Sequence, residues 1–140
     1  MTPLEERKIR VLNEWLRKAD MDQAVAERLA ADEVPFCNAI TFHCQQAAEK
    51  YLKALLTFWE IEFPKTHILA MLIGLVETRD ETLAKSLMDV IVLTPYGAEL
   101  RYPGDRPDAS VEEAENAVQL ARMVRDAVLP LLPDSPNPPV

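Results

Sequence analysis

At 140 residues the chain is long enough for one domain with a real core, and its 49% hydrophobic content is that of a globular rather than a disordered protein. A net charge of −8 excludes a generally basic surface, so any phosphate site has to be a local patch in an acidic body. Gly74, Gly97 and Gly104 are too scattered for a phosphate loop, and no apolar run reaches the ~20 residues of a membrane span. With no secretory segment at the start either, a soluble cytoplasmic protein is the expectation.

The first predicted helix runs from residue 3 or 4 to 31, with Ile9, Leu12, Trp15, Leu16, Ala19, Ala26, Leu29 and Ala30 at helical spacing and charges on the other faces. Asp22 borders this stripe. It is either a solvated carboxylate or the partner of a basic group on another helix. The short connection over 32–35 favours an antiparallel hairpin with a second long helix over 36–59. In that helix Phe36, Ile40, Ala47, Tyr51, Leu55 and Phe58 share one face, while His43, Gln46 and Lys50 form a stripe along its edge. Glu49 precedes Lys53 by four residues, the favourable order for an exposed ion pair.

Pro64 marks a turn, and Thr66 is placed to cap a shorter helix over 67–77. Lys65, Thr66 and His67 would then gather a cation, a hydroxyl, an imidazole and free helix N–H groups, which suits an anion; a capped helix start with a surface histidine needs the same residues. A fourth helix is predicted over 80–93, with Leu83, Leu87, Val90 and Ile91 inward and Thr94-Pro95 at its end. The segment YGAELRYPG and the loop GDRPD follow, and Ser110 with Glu113 makes a capping box for a last helix with Val111, Ala114, Val118, Ala121, Val124 and Val128 inward. The expected architecture is an all-α, up-and-down antiparallel bundle of four main helices plus one shorter helix. It forms a single domain over 1–132 with a flexible proline-rich tail over 133–140.

The candidate chemistry is restricted by having only two histidines. Cys37 and Cys44 lie on one helix ~10 Å apart, out of disulfide reach, and lack the spacing of a zinc site. Cys44 points ~100° away from His43, which is a poor nucleophile pair, and neither histidine has the Glu three residues before it that a di-iron bundle needs. No metal or cofactor is expected. What remains is a polar group: His43, Gln46 and Lys50 on the second helix, Lys65 and His67 before the third, and Tyr96, Arg101 and Tyr102 after the fourth. Arginine can fork onto phosphate and tyrosine can stack on a base, so these are parts of a nucleotide or RNA site. They are equally the parts of a buried network that fixes helix register.

The string AITFHCQQAAEKYLKALL, with PKTH and AELRYPG downstream and WLRKADMD upstream, resembles the HEPN family, the higher eukaryote and prokaryote nucleotide-binding domains. The resemblance implies a helical bundle that binds nucleotide or RNA, is often dimeric, and often works beside a minimal nucleotidyltransferase in a toxin–antitoxin-like pair. Ribonuclease members carry an Arg, four to six residues, then His. Here the positions five to seven before His43 are Asn38, Cys37 and Phe36, and those before His67 are Glu62, Ile61 and Glu60. Nuclease activity is therefore not carried over. A metal-independent endoribonuclease with a rearranged site, using His43 or His67 as acid/base, is the alternative, and a ligand-free homodimeric scaffold the third reading. Trp59, Phe63 and the apolar face of the third helix exceed what a four-helix core needs, which predicts a homodimer.

Overall fold

The computed structural model describes residues 1–33, 36–97 and 107–133. Helix α1 (Pro3–Ala30) starts at a capping box: Glu5 N donates to Thr2 Oγ1 at 3.2 Å, and Thr2 N donates to Glu5 Oε2 at 2.8 Å. Its buried stripe is Leu12, Leu16, Ala19, Gln23 and Ala26. Helix α2 (Cys37–Phe58) is the centre of the bundle, buried almost without break from Cys44 to Leu56. Lys8 lies over Phe58, Lys53 over Trp15, and His43 bonds Asp22, so numbering rises on one helix as it falls on the other and the pair is antiparallel.

No glycine ends α2. Glu60 takes the left-handed conformation at φ 58° instead, with Glu60 N donating to Thr57 O and Ile61 N donating to Leu56 O. This is a Schellman stop on a non-glycine residue, a conformation that costs roughly 1 kcal/mol. It turns the chain back along α2. Helix α3 (Leu69–Glu77), helix α4 (Glu81–Ser86) and a 3₁₀ segment (Met88–Gly97) then cover one side of the bundle. Helix α5 (Val111–Val128), capped by Ser110 as the sequence indicates, and a short 3₁₀ turn (Leu129–Leu131) complete the chain.

Two details depart from the sequence reading. First, the predicted fourth helix is α-helical only over Glu81–Ser86 and continues as 3₁₀. Leu87, Val90 and Leu93 are its fully buried positions, and a spacing of three matches the three residues per turn of a 3₁₀ helix, so burial selects the tighter winding. Second, α3 starts at Leu69, not His67. Thr66 Oγ1 accepts from Ile68 N at 3.1 Å in a local turn, and Leu69 N donates to Thr94 Oγ1 at 3.1 Å. In keeping with the up-and-down order of the four main helices, α5 starts beside the start of α2, where Asn38 Oδ1 accepts from Ala109 N at 2.8 Å and Asn38 Nδ2 donates to Asp108 at 2.9 Å. Further along, Arg125 lies near Tyr51, so these two helices run in the same direction. The described residues contain helices, turns and loops but no strand. The proline-rich tail falls almost wholly outside them.

Candidate functional site

Helix α2 carries its polar residues on a flank that is partly roofed by the returning chain. The His43–Gln46–Lys50 stripe is present and half-exposed. Asp22 of α1 meets it: one carboxylate oxygen accepts from Lys50 Nζ at 2.5 Å, and the other lies 2.8 Å from His43 Nδ1. Asp22 is only 8% exposed, so it is the partner of basic groups on another helix and not a solvated carboxylate. With the carboxylate accepting, the proton sits on Nδ1 of His43, and Nε2 makes no hydrogen bond among the described residues.

The neighbouring row is deeper. Glu49 accepts from Lys53 Nζ at 3.0 Å and from Gln45 Nε2 at 3.3 Å, and its Oε1 is 2.8 Å from His67 Nδ1. Gln45 also donates to the His67 carbonyl at 3.1 Å and accepts from Gln46 at 2.7 Å. Lys53 lies 5.4 Å from the Trp15 ring centroid and 5.9 Å from that of Phe63, while those rings meet edge to face at 6.2 Å. The expected exposed Glu49–Lys53 pair is thus buried, at 3% and 5% exposure, because the segment after α2 folds back over it.

The predicted site residues divide accordingly. His43, Gln46, Lys50 and His67 share this flank. His67 is not in the first turn of a helix, and its imidazole holds a carboxylate, so the anion-binding helix start expected at Lys65–His67 is not formed. Lys65 is exposed and makes no ion pair among the described residues. Tyr96 points elsewhere: its hydroxyl donates to Glu113 of α5 at 2.6 Å. Arg101 and Tyr102 lie outside the described residues. The sequence reading missed Gln45 and misjudged Glu49. The signal for Gln45 is Gly97: a Cβ there would sit 2.5 Å from the Gln45 amide, so only glycine allows the 3₁₀ segment to close onto it.

Trp59 and Phe63, read as surplus apolar surface, are used within the chain. Phe63 packs on Trp15, and Arg79 lies 4.9 Å from the Trp59 ring. On the opposite flank of α2, Tyr51 donates to Asp20 at 2.5 Å, and burial together with that carboxylate pushes the phenol well above its usual range. Glu27 of α1 bonds Arg122 and lies 3.6 Å from Arg125, tying α1 to α5. A pocket of about 550 Å³ opens between the starts of α2 and α5, lined by Phe36, Cys37, Asn38 and Ser110, and it holds none of the predicted site residues. No cluster of three or more metal-ligating side chains, and no helix long and apolar enough to cross a membrane, occurs among the described residues.

Chemically, the flank offers two imidazoles, each oriented by a carboxylate at Nδ1, and an ammonium with donors to spare beyond its bond to Asp22. Such a set can hold an anionic oxygen and move a proton. No curated protein and no solved structure matches the chain. The HEPN domain model matches residues 12–131, from the first buried leucine of α1 to the end of the last 3₁₀ turn, and so includes every residue of this flank: the chain belongs to the HEPN family.

Proposed function

We propose that this protein is a nucleotide- or RNA-binding module that takes a ligand phosphate at the His43–Gln46–Lys50 edge of α2. The observation that carries the reading is the convergence of Lys50 and His43 on a single carboxylate at a half-open edge, in a chain whose family is nucleotide-related. Asp22 orients both groups. Two ammonium N–H donors of Lys50 remain for a phosphate oxygen, the Nε2 of His43 is left as an acceptor for a ligand O–H or N–H, and Arg101 and Tyr102 are proposed to add a phosphate fork and a stacking ring. Titrating AMP, ADP and a short RNA against the Lys50→Gln protein tests this. Loss of one charge-assisted hydrogen bond costs roughly 1.5–3 kcal/mol, so affinity should fall about ten- to a hundredfold. Unchanged binding with a lower melting temperature would leave a register-fixing network in place of a site.

We propose further that the module works in the cytoplasm with a minimal nucleotidyltransferase in a toxin–antitoxin-like pair; a small nucleotidyltransferase gene beside this one, whose product forms a stable complex on co-expression, supports this, and no such gene or no complex refutes it. Exposed Ile68 just before α3, Met71 on it, and Met88 and Val92 on the 3₁₀ segment favour a homodimer, which light scattering at micromolar concentration tests. A second reading, metal-independent RNA cleavage, is favoured by the two carboxylate-oriented imidazoles, an arrangement suited to general acid/base work. Cleavage of RNA in EDTA that disappears in both His43→Gln and His67→Gln would raise it above the binding reading.

A further inference from the structure

The outward face of α1 is basic in an otherwise acidic protein. At ~100° per residue, Arg7, Arg10, Arg17, Lys18 and Arg28 fall within ~100° of arc, directly opposite the buried Leu12–Leu16–Ala19–Gln23–Ala26 stripe. All five are exposed. The acids beside them are Glu14, which Arg17 already engages at 2.6 Å, and Glu6 at the edge of the arc. Arg7, Arg10, Lys18 and Arg28 make no ion pair among the described residues, whereas the acidic residues of α1 that lie on its sides are committed inward, Asp20 to Tyr51, Asp22 to His43 and Lys50, and Glu27 to Arg122. The helix thus sorts its charges, leaving cations outside on a chain of net charge −8.

From Arg7 to Arg28 the face extends ~31 Å at 1.5 Å per residue, long enough to lie along several consecutive phosphates of one strand. It also passes the flank of α2: Lys18 stands one turn before Asp22 on the same side of α1, so the middle of the track lies beside the carboxylate that holds His43 and Lys50. The exposed apolar residues of this face, Leu4, Val11 and Met21, are about two and three turns apart and form no continuous centre of the kind a protein interface is built around.

We propose that this face of α1 is a phosphate track, and that the ligand of the α2 edge is therefore an RNA strand and not a free nucleotide. The inference rests on the α2 edge being a phosphate site, and the test separates the two. Fluorescence anisotropy is measured with a labelled 24-nucleotide uridine oligomer and with a fluorescent ADP, at several salt concentrations. The Arg7→Gln/Arg10→Gln/Arg28→Gln protein, changed only at exposed positions and checked by its melting temperature, should bind the oligomer at least tenfold more weakly at 0.1 M salt. The slope of log affinity against log salt should flatten by about 2, from three contacts at ~0.7 each, with ADP binding unchanged. Lys50→Gln should weaken both ligands. If the triple variant binds the oligomer as the native protein does while Lys50→Gln does not, the track is wrong and the α2 site stands. If Lys50→Gln changes neither ligand, the site itself is wrong and the inference falls with it. Displacement of the oligomer by polyglutamate at equal charge would assign the face to an acidic protein and overturn the proposal.

Discussion

Replacing Lys53 by Met separates a buried ion pair from the exposed pair that its spacing alone suggests. An exposed Glu–Lys pair four residues apart on a helix is worth ~0.3–0.5 kcal/mol. In this protein the Glu49 and Lys53 side chains are 4% and 7% exposed, 3.0 Å apart, with the ammonium set against Trp15 and Phe63. Removing one partner of such a pair leaves an uncompensated buried charge and costs ~3–5 kcal/mol. Gln45 and His67 still contact Glu49, which argues for the lower end, about 3 kcal/mol. For a domain of this size that is a fall in melting temperature on the order of 10 °C. Urea unfolding of Lys53→Met, Glu49→Gln and the double variant completes a cycle. The double variant should recover much of the loss, since replacing both members of a buried pair is often close to neutral. A cost below about 1 kcal/mol for Lys53→Met would refute the reasoning and return the pair to the surface class.

The other predictions concern single buried groups. Gln23 is 3% exposed with neither amide atom hydrogen-bonded among the described residues, so Gln23→Met, close in volume, should raise stability by about 1–2 kcal/mol in urea unfolding; a loss would mean that the amide has a partner. Gly97→Ala forces a methyl to 2.5 Å from a Gln45 side chain already fixed by three hydrogen bonds, and should cost about 1–3 kcal/mol, read by thermal melting. Burial pushes the Cys44 thiol from its ordinary 9.0 up to about 12, so the folded state holds that proton more tightly than the unfolded chain. Stability from this group is therefore full below pH 9 and declines as pH rises towards 12, and Cys44→Ala should flatten that alkaline decline.

Much of the fold was legible because α1, α2 and α5 are long and strongly periodic, with Ser110–Glu113 marking the start of α5. What failed was decided by packing. Leu87, Val90 and Leu93 fit either helix type until the side of α2 against which they lie selects the spacing of three. Thr66 is a sound cap by composition, but Thr94, distant in sequence, supplies the acceptor for the first free N–H of α3.

The site follows the same division. His43, Gln46 and Lys50 could be read as one stripe because helical spacing alone fixes their neighbourhood. Their partner Asp22 comes from another helix, and its burial depends on the register of the α1–α2 hairpin. Glu49 was misjudged for a more remote reason. Its surroundings are made by the chain that reverses at Glu60, in a left-handed conformation no glycine announces, and returns with Phe63 over Lys53 and His67 against the carboxylate. Remove that turn and the Glu49–Lys53 pair becomes the solvated pair its spacing describes. A charge pattern on one helix thus states which groups can meet along it, whereas what the pair is worth, and whether an imidazole stands beside it, is settled by the segment that folds back to cover it.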